Sequence, residues 1–168
     1  LNVPSIKILN HRQAITSLEE TIKSHVSGVH QSFQGSFSGD AMLLFPEKQS
    51  LELVRAVLQQ GDIALDDLTD MEQEAMTEIG NVILNACLCS MADMFSQEIQ
   101  GEIPLFVKGS LEHFFSTDIA LNDNKAIILL LNMNFSLESR NIKGYLTFLM
   151  DVDSTHQLKK NIETMLGI

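Results

Sequence analysis

Apolar and polar residues follow one another along the chain in patterns that predict both helices and strands. Apolar residues at helical spacing predict a short helix over residues 11–24, a helix after Pro46 and a terminal helix over residues 154–165. Shorter apolar or alternating runs predict strands over residues 3–9, 26–37, 40–45, 103–107, 126–135 and 145–150. Residues 109–119 are predicted to form a short helix or an irregular turn, and residues 139–143 a turn between the last two strands.

The longest predicted element is a helix at about residues 66–99, which Thr69 or Asp70 could cap. Its apolar residues predict a broad buried stripe, formed by Met71, Ala75, Ile79, Val82, Ile83, Ala86, Leu88 and Met91. Methionines in this helix are assigned to the core rather than to a binding surface: Met71, Met76, Met91 and Met94. Gly80 in the middle costs about 1 kcal/mol of helix propensity relative to alanine. That cost predicts a close approach to the backbone there, by a neighbouring helix or a docked partner.

Four polar residues form a line along this helix: Glu74, Glu78, Asn81 and Asn85, at positions i, i+4, i+7 and i+11. The simplest interpretation is the solvated face of a surface helix, which is sufficient for Glu74. Asn81 fits that interpretation less well, because asparagine competes for backbone hydrogen bonds within a helix. A second asparagine one turn later adds to the cost. A structural and a functional interpretation of this line therefore both stay open at this point.

The predicted elements occur in the same order in both halves of the chain. Residues 3–6 correspond to residues 103–106, residues 39–45 to residues 144–150, and the helix after Pro46 to the one after Asp153. The second half has a long helix before Pro104, whereas the sequence contains none before Pro4. The repeat therefore predicts a further helix upstream of Leu1, and a fold that evolved with a single long helix is the alternative.

Composition and charge narrow the classes of partner. With 168 residues and 45% hydrophobic content, the chain is long and apolar enough for a single domain over residues 1–168. A net charge of −11 argues against nucleic acid as a ligand and permits a basic patch on a protein partner. No apolar run reaches about 18 residues and no signal peptide is visible, so we expect a cytoplasmic protein without a membrane segment.

The cysteines and histidines predict neither a disulfide nor a metal centre. Cys87 and Cys89 lie two residues apart, and such residues point to nearly opposite sides of a helix, so the two cannot pair with each other. The 5 histidines show no spacing that is typical of metal ligands. The sequence therefore predicts no metal site.

The long helix carries a motif that resembles that of the CheC/CheX/FliY family of response-regulator phosphatases. The family motif is Asp or Ser, three residues, Glu, two residues, Asn, about 22 residues and Pro. Here Glu78 and Asn81 match the Glu and Asn, and Pro104 follows Asn81 after 22 intervening residues. Glu74 takes the first position, where it departs from Asp or Ser but keeps an oxygen-bearing side chain. The resemblance extends to the Gly-Asp-Ala-Met-Leu-Leu-Phe-Pro segment at residues 39–46 and to the strand–strand–helix end of the chain.

The resemblance implies hydrolysis of the aspartyl phosphate of a CheY-like response regulator. By that likeness Asn81 would insert into the regulator's active site and orient a water, and Glu78 would pair with a regulator lysine. Glu74 and Asn85 would contact the partner. The Mg²⁺ would belong to the regulator, so that this chain needs no metal or cofactor of its own. A CheD-like protein and a second copy of this chain are further partners that the likeness suggests.

The same resemblance implies a fold and leaves alternatives for function. We expect an α/β (α+β) fold with a pseudo-two-fold repeat, a mainly antiparallel sheet of about six strands and long helices packed on one face. Gly80 and Pro104 would have structural roles in it. The alternative function is a non-catalytic adaptor or a flagellar-switch-type binding module. The sequence could also be one domain of a longer protein that includes a receiver domain.

Overall fold

The computed structural model describes residues 6–20, 22, 25–58, 69–115, 127–137 and 140–167. The strands within these residues are β1 (Ile6–Asn10), β2 (Val26–Gly35), β3 (Gly39–Pro46), β4 (Ile99–Gly101), β5 (Leu105–Gly109), β6 (Ile127–Leu137) and β7 (Arg140–Met150). The helices are α1 (His11–Glu19), α2 (Glu47–Val57), α3 (Asp70–Phe95), α4 (Leu111–Phe115) and α5 (Val152–Leu166). Parts of the predicted elements, at residues 3–5, 21, 23–24, 66–68, 116–119, 126 and 139, lie outside the described residues.

One antiparallel sheet forms the centre of the fold. Its strand order is β1-β6-β7-β3-β2, and the outer edge of β2 pairs with both β4 and β5. Each of these pairings is antiparallel. The antiparallel sheet that the sequence predicts is confirmed. Seven strands are present in the described part of the chain, rather than about six, because the apolar pattern does not reveal the 3-residue strand β4.

Helices cover both faces of the sheet, because successive residues of a strand point to opposite sides. On one face, α2, α3 and α5 pack over a core that includes Val29, Phe33 and Leu43. On the other face, α1 and α4 cover a second core, which includes Met42 and Leu44. The long helix therefore lies on one face of the sheet, as predicted, and the central strand β3 is buried on both of its sides.

The element order repeats, as the sequence pattern predicts. A series of strand, helix, hairpin and helix occurs first as β1-α1-β2-β3-α2 and again as β5-α4-β6-β7-α5. The corresponding strands β3 and β7 pair with each other. α3 and the short strand β4 stand between the two series, so the helix with the polar line precedes the second series.

The long helix is shorter than predicted at its C-terminal end. Residues 96–99 are not helical, because Ser96 adopts a left-handed conformation with φ 51° and Ile99 already pairs in β4. A left-handed residue ends a helix by turning the chain away from the helix axis. Other predicted boundaries are corrected as well: β5 starts at residue 105 rather than 103, residues 140–143 extend β7 rather than form a turn, and α1 ends at residue 19 rather than 24.

The side of α3 that faces the sheet differs from the predicted stripe. Its buried residues recur at every fourth position: Glu72, Met76, Gly80, Leu84 and Leu88. Several residues predicted to be buried are instead exposed, namely Met71, Val82, Ala86 and Met94. The prediction is wrong for these residues because apolar side chains occur on both sides of the helix. Periodicity alone does not identify which side packs.

Candidate functional site

α3 is attached to the fold at its N-terminal end by a capping box and a buried ion pair. Thr69 is the N-cap residue, and the Glu72 carboxylate accepts hydrogen bonds from the Thr69 backbone N–H at 2.7 Å and from its hydroxyl at 2.9 Å. Arg55 of α2 donates from Nε to the same carboxylate at 3.0 Å. Burial acts to raise the pKa of Glu72, but these hydrogen bonds and the Arg55 charge together hold the pKa below its usual range. The start of α3 is thereby fixed against α2.

Gly80 lets α3 lie directly on the sheet. A Cβ atom at this position would lie 2.4 Å from Cβ of Val29 in β2, which is closer than two carbon atoms approach without a bond. The structure shows a close approach to the backbone here, and the neighbour is a strand rather than a helix. The glycine therefore sets how near α3 comes to β2, and with it where the outward residues of the helix stand.

The predicted polar line runs beside the side of α3 that packs on the sheet, and none of its four residues is among the buried residues of the helix. Glu74 and Glu78 are exposed, whereas Asn81 and Asn85 are half-buried. Residues three apart on a helix have Cβ atoms about 5–6 Å from each other, so Glu78 and Asn81 are neighbours. Asn85 donates from Nδ2 to Oδ1 of Asn81 at 2.6 Å. Within the described residues, nothing accepts a hydrogen bond from Nδ2 of Asn81, so this amide can bind a water or a partner.

An open acidic depression adjoins the two glutamates. Its volume is about 490 Å³, and it is lined by Asp70, Gln73, Glu74, Thr77, Glu78 and Phe106. Three of these side chains are carboxylates at successive i+4 positions of α3, which gives the depression a negative charge. Sequence reasoning missed Asp70 and Phe106. The i+4 spacing from Asp70 through Glu74 to Glu78 is the signal that could have revealed the first of them.

Pro104 lies where the edge of the sheet changes from β4 to β5. Gly101 pairs with Phe33, and Leu105 pairs with His30, so that three residues of this edge (102–104) stand opposite two residues of β2 (31 and 32). One extra residue on one strand is a β-bulge. Such a position tolerates proline, because no ladder hydrogen bond from its nitrogen is required. The bulge places residues 102–104 beside the middle of β2.

A buried glutamine connects this bulge to the polar line. Gln31 of β2 is 2% exposed, and its Nε2 donates to the backbone carbonyl of Glu102 and to Oδ1 of Asn85, both at 2.9 Å. Asn85 in turn bonds to Asn81. Sequence reasoning missed Gln31, because one polar residue in a strand does not reveal which helix residue it faces.

α3 is also apolar on its exposed side. Among the helices in the described ranges, it is the one long and apolar enough to cross a membrane, yet only 22% of its most apolar 18-residue stretch is buried. Its other side packs on the sheet, as a core helix does. The low burial reflects exposed residues beside the polar line, such as Met71 at 56% and Val82 at 68% exposure. These side chains give the candidate site an apolar border, which suits contact with a protein surface.

Metal ligands and paired thiols are not found in the parts of the chain that the structure describes. No group of three or more His, Cys, Asp or Glu side chains there could hold a metal ion. Cys87 and Cys89 are free thiols, and burial raises the pKa of Cys87. The candidate site on α3 is therefore built from amides, carboxylates and apolar side chains.

Comparison with known proteins identifies the fold. CheY-P phosphatase CheC of Bacillus subtilis (strain 168) is 20% identical over 138 residues, with 79% of this chain and 66% of that protein covered, just under two thirds of its length. FliY of Thermotoga maritima superposes with a TM-score of 0.71 at 11% identity, over 97% of this chain and 81% of that chain. The CheX–CheY–BeF3–Mg²⁺ complex of Borrelia burgdorferi matches with a TM-score of 0.52 at 15% identity, over 90% of this chain and 86% of that chain. This chain has a CheC/CheX/FliY-like fold. No protein-family profile matches it.

Within this CheC/CheX/FliY-like fold, the structure brings the two ends of the predicted motif together. On α3, Glu78 is exposed and Asn81 is half-buried, and Pro104 lies in the bulge on the edge of β2. The hydrogen bonds of Gln31 to the bulge and to Asn85 connect the two regions. Glu74 lies one turn before Glu78 and lines the same acidic depression.

Proposed function

We propose that this chain hydrolyses the aspartyl phosphate of a CheY-like response regulator. The observation that carries the proposal is the pair Glu78 and Asn81, neighbours on the surface of α3, with the Asn81 amide bonded to Asn85. The likeness to CheC, whose name is CheY-P phosphatase, supports the choice of substrate. The complex of CheX with CheY, BeF3 and Mg²⁺ supports direct contact with such a regulator.

Docking would use the acidic depression. The carboxylates of Asp70, Glu74 and Glu78 form a negative surface, which a lysine of the regulator would enter to pair with Glu78. The net charge of −11 would favour a regulator with a basic surface at this place. The exposed side chains of Met71 and Val82 would cover apolar surface of the regulator beside this ion pair.

Asn81 would act on the attacking water. A carboxamide does not titrate near neutral pH, and here Nδ2 and the second lone pair of Oδ1 can each hold a water hydrogen-bonded. In the proposed step the water oxygen forms a bond to phosphorus while the bond from phosphorus to the aspartyl oxygen breaks in line. The aspartate leaves as a carboxylate, and the water's protons stay with the inorganic phosphate or pass to solvent. Phosphoryl transfer depends mainly on positioning and charge stabilisation, so a neutral amide is sufficient.

The metal in this proposal belongs to the partner. Mg²⁺ in the regulator's acidic pocket would stabilise charge on the phosphoryl group, and this chain would add no metal or cofactor. Binding of a CheD-like protein, pairing of two copies of this chain and a cytoplasmic location stay predictions that the resemblance supports. Contacts of Glu74 and Asn85 with the regulator are predictions of the same kind.

A binding module without turnover is the second candidate function. The likeness to the FliY and CheX structures, at 11% and 15% identity, supports the fold and does not by itself favour an enzyme. A pure adaptor would use the outward surface of α3 for docking and would have no need of an oriented amide beside Glu78. The presence of both Glu78 and Asn81 favours the phosphatase.

Decay of the radiolabelled phosphoryl group on each CheY-like regulator of the same organism tests the proposal. We expect the wild-type protein to accelerate decay of at least one regulator, Asn81→Ala to bind without accelerating decay, and Glu78→Ala to bind more weakly. Ser90→Ala, at an exposed position of α3 outside the polar line, is the matched control and should keep the wild-type rate. Binding of a regulator without acceleration of its decay would favour the adaptor instead.

A further inference from the structure

We infer that Gln31 and Asn85 are positioning residues, which hold the Asn81 side chain in one orientation. We name the hydrogen-bonded series from the Glu102 carbonyl through Gln31 and Asn85 to Asn81 the amide relay. The inference rests on the proposed function and adds to it the means by which the catalytic amide is oriented. It gives Asn85 a role within this chain in addition to the predicted contact with a partner.

Every bond of the amide relay has a defined direction. Gln31 donates from Nε2 to the Glu102 carbonyl and to Oδ1 of Asn85. Because Oδ1 of Asn85 accepts this bond, the other branch of its carboxamide, Nδ2, is the one that donates to Oδ1 of Asn81. The bonded end of Asn81 is therefore its oxygen, and the end without a partner among the described residues is Nδ2. The relay selects one of the two ways in which the Asn81 amide could face.

Gln31 is a costly residue at its position if packing alone decides. Val29 and Phe33, its neighbours on the same side of β2, belong to the apolar core beneath α3. The Oε1 atom of Gln31 is buried and has no hydrogen-bond partner within the part of the chain that the structure describes. An unsatisfied buried oxygen disfavours the folded state, whereas a methionine would fill a similar volume without one. The two hydrogen bonds from Nε2 of Gln31 offset this cost, and a methionine could not form them.

The backbone around the amide relay leaves room for it. A Cβ atom at Gly101 would lie 2.3 Å from Nε2 of Gln31 and 3.3 Å from Oδ1 of Asn85. The bulge next to Gly101 contains Glu102, whose carbonyl accepts the bond from Gln31. The amide relay therefore explains in physical terms why Asn81 and the proline-containing bulge, far apart in sequence, form one unit.

The test compares Gln31→Met and Asn85→Leu with the control Gln157→Met. Gln157 donates from Nε2 to Asn161 four residues along α5, so the control removes the same kind of amide bond outside the relay. The first measurement is single-turnover hydrolysis at saturating concentration, together with the Kd for the regulator bound to beryllofluoride. We expect both relay variants to lower the rate about tenfold, as the loss of one well-placed hydrogen bond does, and Gln31→Met, which lies beneath α3, to change the Kd less than about twofold. Gln31→Met should unfold at no lower denaturant concentration than the wild type.

The second measurement does not depend on activity. Nuclear magnetic resonance relaxation of the Asn81 side-chain amide gives an order parameter, which is high for a rigid group and falls below about 0.6 for a flexible one. We expect a high value in the wild type and in Gln157→Met, and a low value in Gln31→Met and Asn85→Leu. Gly101→Ala should also lower it, because the added methyl group displaces Gln31 without removing an amide.

Three outcomes are decisive. Wild-type rates and an unchanged Asn81 order parameter in both relay variants would overturn the inference. A lower rate with an unchanged order parameter would also overturn it, because Gln31 and Asn85 would then act by a route other than orienting Asn81. A wild-type protein that accelerates the decay of no regulator would refute the proposed function, while the order parameter would still show whether the relay holds Asn81.

Discussion

The side of α3 that packs on the sheet and the rest of its surface contain different residues and have different roles. On the side that faces the sheet, Glu72 and Gly80 fix the helix by an ion pair and by contact with β2. On the rest of the helix surface, Glu78 is exposed, and Nδ2 of Asn81 has no hydrogen-bond partner among the described residues. One 26-residue helix thus combines a side that determines where it lies with a side that determines what it contacts. Substitutions on the two sides should separate stability from activity.

The largest loss of stability is expected from Arg55→Ala, which leaves the buried Glu72 carboxylate without its cation. Removing one partner of a buried ion pair costs about 3–5 kcal/mol in free energy of unfolding. Lys159→Ala is the control, because it removes an exposed ion pair with Glu163 at 3.7 Å, and such pairs contribute about 0–1 kcal/mol. Urea denaturation measures the free energy of unfolding of both variants. Equal losses in the two variants would show that Glu72 does not anchor α3.

A smaller loss is expected from Gly80→Ala, although alanine is the better helix former. The new methyl group would collide with Val29, and overpacking of this kind costs about 1–3 kcal/mol. Combining Gly80→Ala with Val29→Ala should recover part of that loss by removing the collision. Thermal unfolding of the single and double variants measures the effect. A more stable Gly80→Ala protein would mean that α3 does not lie against β2 as described.

Acid should destabilise the protein in part through Glu72. The pKa of Glu72 in the folded state lies below its unfolded value, so its contribution to stability is fully present above the unfolded pKa of about 4.5 and is lost as pH falls through the folded pKa. As pH falls from 6 through the folded-state pKa of Glu72, the free energy of unfolding should therefore decrease less in Glu72→Gln than in the wild type. Urea denaturation at each pH measures this free energy. The same decrease in both proteins would contradict this assignment.

The smallest effect on stability is expected on the outward side of α3. Glu78→Gln removes an exposed carboxylate that has no ion-pair partner among the described residues, so the free energy of unfolding should change by less than about 0.5 kcal/mol. Binding to a CheY-like regulator should weaken, because the proposed ion pair with a regulator lysine is lost. Isothermal titration calorimetry measures the affinity for the regulator. Unchanged affinity would remove Glu78 from the docking surface.

The sequence predicts the position of the polar line better than it predicts the packing beneath it. Thr69 at the N-terminal end of α3 is recognisable as a cap, and the spacing of Glu74 to Asn85 places these residues along one side of a helix. Which side packs was not predictable, because exposed Val82 is as apolar as the buried Leu84. That choice depends on the shape of the sheet, where Val29 requires a glycine opposite it.

Long-range contacts account for the remaining differences. The strand β4 has 3 residues, too few for an apolar pattern, and exists because β2 offers it a free edge. β2 is buried on both of its sides along much of its length, so the alternation that would have placed Gln31 beneath α3 is weak. The pairing of Gln31 with Asn85 joins residues 54 positions apart, and no local pattern encodes it.

The role of Asn81 is tested most directly by single-turnover decay of a phosphorylated CheY-like regulator with wild-type protein and with Asn81→Ala at saturating concentration. Removing one group positioned for the transition state costs about 100-fold or more in rate. We therefore expect Asn81→Ala to lose about 100-fold of the acceleration, or all of it if the wild-type acceleration is smaller, with its unfolding midpoint and its affinity for the regulator unchanged. Equal acceleration by the two proteins would contradict the account and place the chemistry elsewhere in the molecule.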